Sequence, residues 1–519
     1  MAKEKKQVSM EEKLRQSANK LRGSVEASEY KHVVLGLIFL KFASDKFEER
    51  RQELIAEWKE KYLEMIEFYT MKNVFYLPEI SRWSYLIANA KQSDISLKID
   101  TALFTVEKNN PSLKWALPDN YYSRLNLDIT KLSALLDEIN DIDTIKDKSH
   151  DIVGRVYEYF LSKFAIAEWK GKWEFYTPKS IVHLIAEMIQ PYKWRIYDPA
   201  CGSGWMFVQS MKFIEHHHGN KKDVAIFWQE YTATTYKLAK MNLAIRWISA
   251  NLWDMPEDTF KKDQHKDLKA DFIMANPPFN QKDWRASNEL TDDPRWMWYD
   301  VPPASNANYA WILTMVSKLS ENGVAGFLLA NGALSGWGDE YKIRRKLIEN
   351  DLVEAIVILP RNLFYTTDIS VTLWIINKNK KSRSVEVNWE IKNYRDRQRE
   401  VLFMDLRQIG IPFEKKYTQF SDENISQITD SYHDWQANGS NYQDIAEFCY
   451  SAKLEEIIKK DFSLVPSKYI EFINRDENID FDEKMISLQS EFKELLQEET
   501  KSKDDLLLVF KKLGYEIKL

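Results

Sequence analysis

The chain has 519 residues, 44% of them hydrophobic and 29% charged, the balance of a globular protein of several domains and not of a disordered, fibrous or disulfide-stapled one. Its 73 Lys and Arg stand against 79 Asp and Glu, and a net charge of −6 excludes a protein that coats nucleic acid through bulk positive charge, leaving only a local basic patch open. Cys201 and Cys449 are too few for a disulfide framework, the start MAKEKKQVSMEEKLR lacks an apolar signal core, and the run Val33 to Leu40 is far short of the roughly 20 residues that cross a bilayer, so a cytoplasmic chain without a membrane span is expected.

Residues 1–165 read as a helical domain, with charged amphipathic stretches, the apolar segment Val33 to Phe42 and then a polar segment, LKIDTALFTVEKNNPSLK. From about residue 175 strand and helix alternate: WRIYDPA, MFVQSMKFIEHHH, DVAIFWQE, TTYKLAKMNLAIRW, DFIMANPPF, NYAWILTMVSKLS, GVAGFLLA, EYKIRRKLIEN, EAIVILP and SVTLWIIN. This alternation predicts an α/β fold with a doubly wound, mostly parallel sheet of at least six strands, placed within residues 166–440. Lys378 to Ser384 and Lys392 to Arg399 are basic stretches that read as solvated loops or phosphate contacts. Residues 441–519 form a helical tail in which Met485, Leu488, Phe492, Leu495 and Leu496 make a narrow apolar stripe, suited either to a partner helix or to packing on its own domain.

Two strand ends carry the chemistry. The strand WRIY runs into Asp198, Pro199, Ala200, Cys201, Gly202, Ser203 and Gly204 and then into a helix, and a glycine turn there lets backbone approach a ligand. The turn is neither a P-loop nor GxGxxG, so phosphate cradling is not its work. Glu230 and Asp254 follow the next two strands, where carboxylates suit the hydroxyls of an adenosine; singly, each such acid is more often a helix cap or a surface residue. After DFIMA come Asn276, Pro277, Pro278 and Phe279. The prolines remove two backbone donors and leave carbonyl acceptors, the Asn276 oxygen adds another, and Phe279 offers a stacking face, an arrangement that activates an exocyclic amine without a charged base. A proline-rich turn with an Asn cap is the bland alternative. His216 to His218 read as surface residues and no metal site is expected.

DPACGSG, NPPF and EFYTP, in an order that puts the cofactor loop before the catalytic loop, resemble the adenine-N6 DNA methyltransferases, and most closely the methylation (M, HsdM-like) subunits of type I restriction-modification systems. LRGSVEASEYKHVVLGLIFLKFASDKF and SLVPSKYIEF are similar to the same subunits, so the resemblance covers nearly the whole chain. It implies a class I S-adenosylmethionine-dependent methyltransferase fold and S-adenosyl-L-methionine as cofactor, held by Glu174, Phe175, Tyr176, Thr177, Asp198, Ala200, Gly202, Ser203, Gly204, Glu230 and Asp254. It implies Asn276, Pro277, Pro278 and Phe279 as the catalytic set acting on N6 of a flipped adenine. The partners implied are DNA, a specificity (S) subunit, a second copy of the M subunit and a restriction and motor (R) subunit. The alternative is a catalytically silent structural or DNA-binding subunit of the same fold; methylation of cytosine N4 or of a protein amide is weaker.

One count is abnormal. A chain of this length should hold about 36 glycines, at about 7%, yet it has 15, against 18 tryptophans. Trp115, Trp169, Trp173, Trp194, Trp205, Trp228, Trp247, Trp253 and Trp298 stand where the resembled family carries glycine, whereas Trp83, Trp284, Trp296, Trp311 and Trp374 resemble its own tryptophans. The expectation is a gene that uses UGA for glycine, the alternative being drift into a subunit that no longer binds cofactor.

Overall fold

An unbroken apolar run leaves a helix no face for water, so Val33 to Leu40 has to lie inside a helical shell. In the computed structural model, which describes residues 27–142, 177–248, 250–251, 255–364, 370–387, 390–413, 416–473 and 481–512, this run is the middle of helix α1, Ala27–Ala56, and is almost wholly buried. Helices α2, Ile95–Asn109, and α3, Ile129–Asn140, close over it with Ile99, Leu103, Leu132 and Leu136. Gly36 is required by close approach: the Tyr122 hydroxyl donates to the Val33 carbonyl at 2.6 Å, and a Cβ at position 36 would meet that hydroxyl at 2.5 Å.

The rest of the first compact unit, which ends at Ile470, is a sheet covered on both faces. In chain order it comprises helix α4 (Lys179–Ile189), β1 (Trp194–Asp198), α5 (Trp205–His216), β2 (Val224–Trp228), α6 (Ala233–Ile245), β3 (Ala250–Asn251) and β4 (Ala270–Ala275). Then follow α7 (Asn308–Lys318), β5 (Leu319–Ala330), α8 (Asp339–Glu349), β6 (Val353–Ile358) and β7 (Val371–Asn377). Two small hairpins, β8 (Arg383–Val387) with β9 (Glu390–Tyr394) and β11 (Ile411–Phe413) with β12 (Tyr417–Gln419), flank β10 (Glu400–Asp405). Helix α9 (Asp422–Gln436) and β13 (Cys449–Lys453) complete the sheet region.

The strand order is β13-β10-β6-β7-β5-β4-β1-β2-β3, with β7 and β13 running against the other seven. Strands β6 and β7 are buried along their whole length, which is why VEAIVI and VTLWIIN read as continuous apolar runs. From β1 the chain moves outward to β2 and β3, then returns to lay β4 on the other side, so a topological switch point lies between β1 and β4. Leu238, Met241 and Ile245 of α6 pack into the helical core around α1, and the Lys240 ammonium donates to the Lys114 carbonyl at 2.8 Å.

The two basic stretches depart from the sequence reading, because each turns a cation back into the interior. Arg397 and Glu354, both 0% exposed, pair at 2.9 Å, and Lys380 pairs with Asp351 at 2.5 Å. The second unit, beyond Ile470, contains α10, Phe481–Lys512, on which Met485, Leu488, Phe492, Leu495 and Leu496 are all exposed. No helix among the described residues is long and apolar enough to cross a membrane.

Burial pushes the Glu354 carboxyl up, but the Arg397 charge and the amides of Asn377 and Gln436 bring it below the usual range. Arg397→Met removes the compensating charge and leaves an isolated carboxylate in the core, so it should lower stability by about 3–5 kcal/mol, read as a lower urea midpoint with little change in slope.

Candidate functional site

Strand β1 delivers Asp198 to the carboxyl end of the sheet, where it is 1% exposed and its Oδ1 accepts from the Ala200 N–H at 2.9 Å. Gly202 and Gly204 adopt φ of 55° and 73°, the left-handed region that glycine enters without penalty. The turn is fixed from below, since the Asn242 amide of α6 donates to the Ser203 carbonyl at 2.8 Å. It is fixed from the side by Glu230, which follows β2: one oxygen accepts from the Gly202 N–H at 3.0 Å and the other from the Thr232 N–H at 2.8 Å.

Both acids sit in the interior. Burial pushes the Asp198 carboxyl up to about 8, with the Glu230 charge adding to the rise and the Ala200 N–H opposing it. Burial likewise carries Glu230 up to about 7 against the N–H groups of Thr232 and Gly202. Each is therefore a carboxyl whose ionised form gains from any further hydrogen-bond donor.

The second loop leaves β4 at Asn276. Its Nδ2 donates to the Thr177 hydroxyl at 2.9 Å, just ahead of α4, and its Oδ1 is buried without a hydrogen-bond partner. The far end of the loop is held by α7: the Asn280 N–H donates to Asn308 Oδ1 at 3.0 Å, and Asn308 Nδ2 donates to Asn280 Oδ1 at 2.8 Å. One cavity of about 470 Å³ is lined by both loops, with Thr177, Asp198, Gly202, Glu230, Asn276 and Pro278 on its wall together with Ala200 and Ser203.

Other candidates lie off that wall. Pro277 is buried behind the loop, Gly204 faces Ala239 and Leu243 of α6, and Phe279 is half-buried with its ring edge-on to Phe364 at 6.0 Å. Glu174, Phe175, Tyr176 and Asp254 lie outside the described residues, as do Trp169, Trp173 and Trp253. His217 and His183 both meet the Glu187 carboxylate, at 3.1 and 3.2 Å, and among the described residues no group of three or more His, Cys, Asp or Glu is arranged to hold a metal.

Sequence reasoning missed a third wall, Asp258, Thr259 and Phe260, which follows β3. The Thr259 hydroxyl donates to the Pro199 carbonyl at 2.6 Å, and the Phe260 ring lies 4.6 Å from Trp284 and 4.2 Å from Trp311, making an aromatic side to the cavity. The only signal was its place after the third strand, and that strand has two residues. The assembled site offers buried carboxylates to hydroxyls, an aromatic wall to a flat ring and the amide oxygens of Asn276 and Gln281 to further donors.

Comparison with known proteins is consistent over most of the chain. Residues 148–478 match the family described as N-6 DNA Methylase and residues 10–139 the HsdM N-terminal domain. The methylase subunit of the type I restriction enzyme HindI from Haemophilus influenzae is 41% identical over 437 residues, 82% of this chain and 94% of that protein. The MjaIX methylase subunit from Methanocaldococcus jannaschii is 34% identical, covering 97% of this chain and 91% of its own. Among solved structures, the type I restriction-modification methyltransferase subunit from Streptococcus thermophilus superposes with a TM-score of 0.73 at 23% identity, over 89% of this chain and 99% of that one.

The raised carboxyls make a stability prediction with a definite sign. Asp198 and Glu230 hold protons in the folded chain that they release on unfolding, so their favourable contribution is full below pH about 4 and is lost as pH rises through about 7 and about 8. Thermal melts of the ligand-free protein should fall across that window, and Asp198→Asn with Glu230→Gln should flatten the slope; an unchanged slope in the double variant would contradict the assignment.

Proposed function

This chain belongs to the N-6 DNA methylase family, where its relatives are the methylase subunits of type I restriction enzymes, and we propose that it transfers a methyl group from S-adenosyl-L-methionine to N6 of an adenine turned out of duplex DNA. The observation that carries this reading is Asn276, which lines the same cavity as the Asp198 turn and Glu230 and whose Oδ1 is buried without a hydrogen-bond partner.

The residues present fit that cofactor. Glu230 ends β2 where a carboxylate takes ribose hydroxyls, Gly202 gives close backbone approach, and Phe260 with Trp284 and Trp311 offers faces to an adenine ring. Glu174, Phe175, Tyr176 and Asp254 belong to the same proposal. When bound, the cofactor supplies an electrophilic methyl group on a sulfonium, and what remains for the protein is positioning.

Asn276 Oδ1 accepts one amino hydrogen of the adenine, and a carbonyl of the turn made by Pro277 and Pro278 accepts the other. Two acceptors pull on the amino hydrogens and so draw the nitrogen lone pair out of conjugation with the ring toward an electrophile; methylation then releases one amino proton as the sulfonium becomes a neutral thioether. Thr177 holds the amide in place by accepting from Nδ2, the arrangement that leaves Oδ1 to accept from the amino group. Everting the base costs a few kcal/mol, which stacking on Phe279 offsets. The net charge of −6 supports a DNA affinity supplied largely by another chain. We assign sequence choice to a specificity subunit, with a second copy of this chain and a restriction and motor subunit in the full complex; the relatives are themselves named as subunits.

One observation favours the silent alternative: the Trp205 indole, 2% exposed, lies on the cavity wall next to the glycine turn. Titration with S-adenosyl-L-methionine separates the two, since a silent subunit binds none.

In the assembled complex, Asn276→Ala should abolish N6-methyladenine, measured by nucleoside chromatography of the DNA product. Thr177→Val should lower kcat by about 100-fold with cofactor affinity retained, and Thr177→Ser should restore it. A loss of cofactor affinity with unchanged kcat would instead make Thr177 a cofactor ligand only.

A further inference from the structure

Ten of the fourteen described tryptophans fall into two populations that share a name and little else. Trp83, Trp284, Trp296 and Trp435 are buried, and each indole N–H donates: to Asn140 Oδ1, the Pro303 carbonyl, the Leu290 carbonyl and Ser451 Oγ, at 2.8 to 2.9 Å. Trp311 and Trp374 are likewise core residues. These six keep ordinary backbone angles, as a bulky aromatic should.

Four others do not. Trp58, Trp115, Trp194 and Trp247 have φ of 59°, 63°, 80° and 55°, a left-handed conformation that is an outlier for a bulky side chain. The other large aromatics provide the control: the chain holds 25 Tyr and 26 Phe, and among the described residues no Tyr and one Phe, Phe462, has positive φ. Four such residues among the fourteen described tryptophans cannot then be put down to aromatic bulk in general.

Their places in the fold are those of glycine. Trp58 ends α1 in a Schellman motif, its own N–H donating to the Ile55 carbonyl at 3.0 Å and the Lys59 N–H to the Leu54 carbonyl at 2.8 Å. Trp247 ends α6 in the same way, with its N–H on the Ala244 carbonyl and the Ile248 N–H on the Leu243 carbonyl, both at 3.0 Å. In both motifs the tryptophan holds the left-handed position that glycine usually fills. The Trp58, Trp115 and Trp194 side chains are 91%, 52% and 47% exposed, so little burial offsets the strain. Glycines and tryptophans together number 33, near the roughly 36 glycines expected of a chain this long. Trp205, Trp228 and Trp298 have ordinary backbone angles, so conformation does not sort them.

We infer that the polypeptide made in its own cell carries glycine at positions 58, 115, 194 and 247, specified by a codon, UGA, distinct from the UGG that encodes the six core tryptophans. This stands apart from the methyltransferase reading, because it rests on backbone angles outside the reaction. Peptide mass spectrometry of the native protein should show glycine at these four positions and tryptophan at 83, 284, 296, 311, 374 and 435. Intact indole masses at 58, 115, 194 and 247, or one codon behind both populations, would overturn it. In the recombinant full chain, W58G, W115G, W194G and W247G combined should raise the melting temperature over the tryptophan form, whereas a fall would show that the indoles are native.

Discussion

The carboxylate of Glu230 holds one side of the cavity together, because its two oxygens take N–H groups from beyond the ends of two different strands. At a switch point neighbouring connections diverge and leave a crevice, and a turn at its rim needs a lateral tie to keep its shape. Glu230 is that tie for the turn after β1. Its interior position sets up a balance: burial disfavours the charge while the backbone N–H groups favour it. A ligand that adds hydroxyl donors to this carboxylate shifts the balance toward the ionised form, so position, charge and ligand preference all come from one group.

The opposite wall follows similar logic with an amide in place of an acid. Thr177 anchors Asn276 at the start of the loop after β4 and Asn308 anchors Asn280 at its end, so the intervening prolines have little freedom. What this network leaves unsatisfied is a pair of amide acceptors, Asn276 Oδ1 and, one residue past Asn280, Gln281 Oε1. A buried acceptor without a donor costs about 1–3 kcal/mol, and an otherwise satisfied network that retains one is poised for a ligand that brings the donor.

Much of this was legible before the fold was known. Strands β6 and β7 stand out as apolar runs because a sheet covered on both faces buries both sides of each, whereas β1 and β4 are buried without a break only over their last three residues. Asp198, Gly202, Glu230 and Asn276 are recognisable because each closes or follows a strand. The reversed direction of β7 is invisible, since a buried strand has the same apolar pattern in either sense. The Asp258 to Phe260 wall escaped because a two-residue strand carries no periodicity. The outlook of Phe279 depends on Phe364, which is distant in sequence. The left-handed tryptophans were half legible: composition showed a glycine deficit, and only backbone angles could tell which positions demand glycine.

The cations are where sequence and structure part most clearly, and the difference bears on how this chain meets DNA. Arg295 is buried against the cavity's third wall, pairing with Asp293 and donating to the carbonyls of Thr259 and Phe260 at 2.8 and 2.6 Å, so its charge shapes the pocket from behind. Lys318 is similarly committed to Asp263, Lys380 to Asp351 and Arg397 to Glu354. Affinity for a phosphate backbone comes from exposed cations that displace counterions, and a guanidinium locked on carbonyls in the interior displaces none. Basic runs in the sequence therefore overstate the positive surface of this chain. A protein that commits these cations to the core and to the walls of its pocket leaves them unavailable to a phosphate backbone.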